Sequence, residues 1–357
     1  MNINRINELK RAFEGKMPET TKEYTNKEVL EMLLNTQDTM LAGVYEQTHA
    51  EAMEAKDLMI HFGSLAEQYG LKETSVYQRF QENMKEMSQM IGRLKSGMKG
   101  EYIAQKNLKM LSHDKCVQIL YNISLKNEDM QTEYDAIVIA PYGLFVVEVK
   151  NWNARILLDK DGILHRDDRE DSRYNVLARM AIKETLLREC LGESFPKVHE
   201  EFLLFSREKT DVTDEYKKIK LCYGAGIVKR IQDYKDSGLH LTKKQIDEIA
   251  EKIKSCNEET RGVCKVKCDE IVEDYSILMA AIEDAAKGVE ESVLELKRVK
   301  DESAEETMTM ETVNNTYCFA KEPVMKKQKT KTPVSIAGVA AGFALGMLAT
   351  SMVLLRK

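Results

Sequence analysis

Glu148 and Lys150 close a run of the chain that is otherwise apolar, and Glu133 and Asp135 open the run before it, within "TEYDAIVIAPYGLFVVEVKNW" (residues 132–152). Side chains two apart share a strand face. A carboxylate and an ammonium on a buried face lose hydration unless something pairs with them, although a strand running out into solvent would carry the same pattern. If the two runs form a hairpin with Asp135 opposite Glu148, then Glu133 opposes Lys150 and four ionisable groups gather at one end of one face. That register needs an even loop. Pro141 cannot take the positive φ of a two-residue primed turn, and a three-residue loop with a bulge at Gly143 would turn Asp135 to the wrong face. The expectation is a four-residue loop, 140–143, with Ile139 opposite Leu144, or else a compensating bulge.

Two clustered carboxylates repel, and a cation between them resolves the repulsion. Hard oxygen ligands with no His or Cys nearby in sequence favour Mg²⁺ or Mn²⁺, which keep several waters and engage phosphate oxygens. Lys150 beside such an ion would stabilise negative charge building on a phosphoryl group or orient the attacking water. The chemistry this pattern suggests is metal-assisted phosphodiester hydrolysis.

The elements that must position these groups follow from the rest of the chain. A helix over 99–111 precedes three β-like runs at 117–125, 133–140 and 144–150, with two short strands around Ile156 and Ile163. A helical pattern at 174–191 and strands at 202–205 and 219–223 complete an α-β-β-β-α-β order, which predicts an α/β sandwich with a mixed sheet. Residues 22–99 are rich in good helix formers and contain no proline, giving two or three helices. From 242 to 312, Ile271, Leu278, Ala285, Ser292 and Val299 repeat every seven residues, as do Cys268, Tyr275, Ile282, Val289 and Leu296. A coiled coil fits that spacing, and so does an antiparallel hairpin folded back on the N-terminal helices. Cys264 and Cys268 sit on this seam and read as packing residues.

The 357 residues are 43% apolar and 31% charged, with a formal net charge of −6, which argues against holding nucleic acid by bulk positive charge. Seven cysteines without a C-x-x-C pair predict reduced thiols, and six histidines without zinc spacing predict no structural zinc. Residues 1–20 are charged throughout, so no secretory signal is expected. By contrast, "VSIAGVAAGFALGMLATSMVLL" (334–355) carries no charge over 22 residues, enough to span a bilayer as a helix. The lysines upstream of it place the bulk of the protein on the cytoplasmic side. Gly338, Gly342 and Gly346 fall four apart on one face of that helix and suggest, with the coiled coil, a homodimer. The expected organisation is therefore an N-terminal helical region (1–97), an α/β domain (98–235), a helical coiled-coil region (242–312), a polar linker (313–332) and a transmembrane helix (333–355).

"GEYIAQKNL" (100–108), the 132–152 run and "ARILLD" (154–159) together resemble the NERD family, the nuclease-related domain, a branch of the PD-(D/E)XK nuclease superfamily. The resemblance implies a PD-(D/E)XK-like αβββαβ core and a catalytic group of Glu101, Asp135, Glu148 and Lys150. In it Asp135 and Glu148 would hold Mg²⁺ or Mn²⁺, Glu101 would assist through water, and Lys150 would serve the transition state. Glu133 matches the family's "tEiD" run in a supporting role. The family's asparagine-proline pair and its glutamine at the start of the later helix are replaced here by Asn175-Val176 and Arg179, a departure that bears on substrate positioning. Arg173, Arg179, Lys183 and Arg188 could contact phosphates, or form a solvated face with Glu184 and Glu189. Trp152 could stack on a base or pack at the rim. Residues 101–190 hold 13 Lys and Arg against 15 Asp and Glu, a balance without the basic footprint usual for nucleic-acid sites.

The expected function is that of a membrane-anchored, cytoplasm-facing, metal-dependent nuclease acting on DNA or RNA, in nucleic-acid processing or defence. The alternative is a tail-anchored coiled-coil scaffold with an inactive nuclease-like binding domain.

Overall fold

The computed structural model describes residues 2–48, 54–289 and 291–298. Its helices are α1 (Ile3–Arg11), α2 (Asn26–Thr48), α3 (Leu58–Gln68), α4 (Ser75–Leu108), α5 (Val176–Leu191), α6 (Gly226–Gln232), α7 (Lys243–Ser255), α8 (Cys268–Ala286) and α9 (Glu291–Arg298). Its strands are β1 (Glu23–Tyr24), β2 (Gln118–Lys126), β3 (Gln131–Ala140), β4 (Gly143–Lys150), β5 (Ile156–Leu158), β6 (Ile163–Arg166), β7 (Arg169–Asn175), β8 (His199–Phe205), β9 (Val212–Asp214), β10 (Lys220–Tyr223) and β11 (Gly262–Val263).

A five-stranded sheet in the order β10-β8-β4-β3-β2 is antiparallel on the β2-β3-β4 side and parallel from β4 through β8 to β10. It is the mixed sheet expected from the sequence. Along β4 the side chains alternate between two cores, because successive residues point to opposite faces. Phe145 and Val147 face α4 and α6 through Ala104, Leu108, Ile227 and Ile231. Leu144 and Val146 face α5 and α7 through Leu187, Leu191, Ile246 and Ile249.

Ile139 lies opposite Leu144, as the hairpin register requires, and the pairing closes one step further, at Ala140 opposite Gly143. The connection is thus the two residues Pro141 and Tyr142, both at negative φ, in place of a four-residue loop. A proline fits there because the turn is not of the primed kind.

Two features depart from the expected plan. A second sheet, β7-β6-β5-β9, is formed by three strands inserted between β4 and α5 and by β9, which follows β8. Only its strands near Ile156 and Ile163 were legible, since β7 is almost wholly polar and β9 has a single apolar residue. The helix expected from residue 99 is the C-terminal part of α4, a single 34-residue helix capped by the Thr74 side chain and running unbroken through residue 97.

The heptad seam does not form a coiled coil within the described residues. Cys268, Ile271, Tyr275, Leu278 and Ile282 of α8 are buried against α1, α2, α3 and α4 in one apolar cluster with Phe13, Leu33, Phe62 and Phe80. The fold-back alternative is the one observed, and the physical reason is that heptad spacing specifies an apolar stripe without specifying what covers it. Cys264 and Cys268 are buried in this cluster, as packing residues should be. Two ion pairs tie α8 in place: Arg79 Nε donates to the fully buried Asp274 at 2.9 Å, and Arg5 Nε to Glu283 at 2.8 Å. The polar linker, the apolar run 334–355 and Gly338, Gly342 and Gly346 lie outside the described residues. Among those described, no helix is long and apolar enough to cross a membrane.

The helical cluster is sensitive at Gly43 on α2. A Cβ there would collide with the hydroxyl of Tyr275, which donates to the Met40 carbonyl at 2.9 Å. Gly43→Ala is expected to destabilise the protein by about 1–3 kcal/mol, whereas Gly92→Ala, with open space around it, should stabilise by roughly 0.5–1 kcal/mol through helix propensity. Thermal melts of the two variants, read by circular dichroism, check both signs.

Candidate functional site

The ladder between β3 and β4 stops at Ala136 opposite Val147, one residue short of Asp135 and Glu148. Beyond that point the Asp135 side chain takes over the backbone's role, and its Oδ2 accepts the Val149 N–H at 2.6 Å. The neighbouring ladder breaks at the same level. Asn122 on β2 would oppose Asp135, but it adopts φ 52° and the pairing skips from Tyr121–Ala136 to Ile123–Tyr134. As a result Tyr134 and Ile137, three apart, both face α5 and α7. Simple alternation therefore holds only up to Ala136, and Glu133 does not oppose Lys150 as the regular register required. Glu133 stands exposed at the rim, with its carboxylate near Thr260.

β4 itself stays straight to Lys150, because its other edge is paired in parallel with β8 through Lys150 opposite Phe205. This delivers Glu148 and Lys150 to the same face, where Glu148 Oε1 accepts from Lys150 Nζ at 2.6 Å and from the Tyr174 hydroxyl at 2.5 Å. The Lys183 ammonium bonds to Glu148 Oε2. Tyr174, at the end of β7, is placed by the inserted sheet, and its ring carries Lys150 Nζ at 3.9 Å and the Arg179 guanidinium at 4.8 Å.

Glu101 approaches from the other side, on α4. Gly100 lies inside α4, and its missing Cβ allows close approach to Asn151. Asn151 in turn locks helix to sheet: its Nδ2 donates to the Ser96 carbonyl at 2.8 Å, and its Oδ1 accepts from the Ser206 hydroxyl at 2.7 Å. The Glu101 carboxylate lies near the Asn122 side chain, so the αL backbone of Asn122 is part of the site.

Charge in this cluster is finely divided. Burial, then the charge of Glu148, push the Asp135 carboxyl up to about 7. Burial would raise Glu148 as well, but Lys150 and Lys183 override it and hold this carboxylate far below the usual range. Burial also raises Glu101, helped by Glu133, and lifts Glu201 on β8 to about 8. Burial opposes the charge on Lys183, yet Glu148 and Asp135 outweigh it and raise its pKa. The Tyr174 phenol is driven well up by burial and by Glu148, so it remains a donor.

The structure thus brings Asp135, Glu148 and Lys150 together, with Glu101 close by, and leaves Glu133 at the rim. Trp152 packs edge-on to Tyr174 with ring centroids 6.3 Å apart, as a half-buried rim residue. Arg179 lines the site from α5, Arg188 is exposed and pairs with Glu184 at 2.7 Å, and the Arg173 side chain lies outside the described residues. Lys183 is neither solvated nor free for a phosphate, since only 3% of its side chain is exposed. A signal for it was present: Val176, Met180, Lys183, Leu187 and Leu191 form one helical stripe, and a lysine on an apolar stripe needs a buried anion. Tyr174 and Asn122 carried no such mark.

Asp135 suits a hard divalent cation, because such an ion would reverse the effect of burial and of Glu148 on its carboxyl. Among the described residues no three His, Cys, Asp or Glu side chains already form a metal cage, but Mg²⁺ is commonly held by one or two carboxylates with water and substrate phosphates.

Residues 96–206 match the family model of the nuclease-related domain, NERD, a match consistent with the PD-(D/E)XK nuclease-like superfamily. The match spans about a third of the chain and includes every element that converges on Glu148. No curated protein and no solved structure matches the chain.

The burial of Asp135 has a measurable cost. The native chain binds its proton more tightly than the unfolded chain, so stability falls as pH rises from about 4 towards 7. Below pH 4 the carboxyl is protonated in both states and contributes nothing. In the presence of a chelator, Asp135→Asn should lie close to the wild type near pH 4 and become the more stable of the two as pH rises towards 8. Urea denaturation across that range measures the difference.

Proposed function

We propose, with a nuclease-related domain at residues 96–206 as the premise, that this protein is a metal-dependent nuclease that hydrolyses phosphodiester bonds of DNA. The observation that carries this reading is the splayed end of β3 and β4, where Asp135, Glu148 and Lys150 meet at an opening in the ladder. Asp135 and Glu148 would hold Mg²⁺ or Mn²⁺, with Glu101 beside them. The ion, when bound, supplies a Lewis acid that draws charge from a phosphate oxygen.

The chain's own groups do the rest. Lys150, fixed by Glu148 and by the face of Tyr174, holds a positive charge where negative charge builds on the phosphoryl group. Glu148 stays ionised at all physiological pH because two ammonium groups flank it. Glu101, raised by burial, is placed to accept a proton from an attacking water. Arg179 stands at the position of the family's glutamine and offers a charged contact to the phosphate backbone in its place.

The apolar run 334–355 is proposed to anchor the enzyme in a membrane, with the α/β domain on the cytoplasmic side and Gly338, Gly342 and Gly346 available for pairing two copies. A second reading, an inactive nuclease-like binding domain on a tail-anchored scaffold, is favoured by one observation: both oxygens of Glu148 already have bonding partners within the chain.

Cleavage separates the two. With the full chain in detergent, Mg²⁺- or Mn²⁺-dependent cutting of plasmid and linear DNA is expected, with RNA as the comparison substrate. Lys150→Ala and Asp135→Ala should each lower the rate by about 100-fold or more. Cutting by the wild type that survives in both variants, or no cutting with either metal, would sink the proposal.

A further inference from the structure

Lys183 has no task in the chemistry above, yet the fold invests heavily in placing it. Its ammonium bonds to Glu148 Oε2, stands within the field of Asp135, and lies 5.3 Å from the centre of the Tyr134 ring. Its own backbone carbonyl is fixed by the Tyr134 hydroxyl at 2.6 Å, so the root of the side chain does not drift. A tethered monovalent cation therefore already sits on one of the two carboxylates that would receive a divalent one, within the field of the other.

Behind it lies a second carboxyl group. Glu201, on β8 beside Val146 of β4, projects onto the same sheet face. Its Oε1 is buried and has no hydrogen-bond partner among the described residues. Lys183 and Glu201 each feel the other's charge. They line one crevice with Glu148, Tyr174 and Arg179, of about 10 Å³, roughly the room one water needs. That is far too small for a nucleotide, and enough for an ammonium group to turn. A buried carboxyl oxygen without a partner is a standing cost, unless some state of the protein supplies one.

We propose that Lys183 is a counter-ion with two seats, bonded to Glu148 while no divalent cation is present and to Glu201 once one is bound, so that metal binding and displacement of Lys183 are one exchange. The proposal rests on the metal-dependent reading above and adds to it a positioning residue and its destination. In the first state Lys183 and Lys150 serve Glu148, and in the second the metal serves Asp135 and Glu148 while Lys183 serves Glu201. The site then never presents bare carboxylates to each other, and metal affinity is set by how easily the ammonium leaves.

Calorimetric titration of Mn²⁺ into the full chain in detergent, without nucleic acid, tests the exchange. Lys183→Met removes the competitor and should tighten Mn²⁺ binding by about tenfold or more, and Glu201→Gln removes the destination and should weaken it by at least about fivefold, both within the usual span of site-to-site coupling. A merely structural role for Lys183 would lower the melting temperature without raising metal affinity. If Lys183→Met does not fold, Glu201→Gln decides alone, and unchanged affinity in it overturns the proposal. Equal affinities in wild type and both variants would overturn the exchange while leaving the metal site standing. Absence of Mn²⁺ binding in all three would instead remove the metal-dependent reading, and the exchange with it.

Discussion

A carboxylate buried at the end of a sheet needs cations and hydrogen-bond donors, and in this protein the need is met at Glu148 from three directions. Lys150 comes from the same strand, Lys183 from α5, and the Tyr174 hydroxyl from the inserted sheet. Removing one partner of such a group is far more damaging than removing the whole cluster, because the remaining charge stays desolvated. That asymmetry constrains the architecture around it. α5 has to pack with Lys183 on its inner stripe, and the small sheet has to end with Tyr174 at the start of that helix. The insertion between β4 and α5 is thus part of the site, although none of its strands lies in the main sheet.

The same region shows how a regular sheet is opened for chemistry. β4 is held on one side by β8 to its last residue and released on the other after Val147. Asp135 occupies the gap with a side-chain bond where a backbone bond would have been, and Asn122 leaves the β region at the same level. The disruption leaves carboxylates and an ammonium beside an unpaired stretch of backbone, which a continuous ladder would have covered. Gly100 and Asn151 hold α4 against this opening, so that Glu101 reaches it from the opposite face.

α4 joins this site to the helical cluster. At 34 residues it spans about 50 Å. Its first half packs through Phe80, Met84 and Met87 against α8 and its neighbours, and its last turns pack through Ala104 and Leu108 under the sheet. Both cores therefore bear on one rigid element, and the position of Glu101 follows from the packing of each. The pair between exposed Arg79 and buried Asp274 fixes the helical end of that element.

Composition and periodicity determined a good deal by themselves. The order of the αβββαβ elements, the hairpin pairing of Ile139 with Leu144, and an unusual concentration of charge near Glu148 and Lys150 were all readable, because they rest on local alternation and on the cost of burying charge. The apolar seam of α8 was readable too, but its partner was not, since a stripe records only that something covers it. Tertiary structure alone decided where alternation stops. A ladder ends when a side chain competes successfully for a backbone N–H, and that depends on neighbours brought in from β2, β8 and α4. It also decided the fate of Lys183, because whether a lysine on an apolar stripe is snorkelling to water or paired inside depends on an anion 35 residues away in the chain, and no local pattern encodes that meeting.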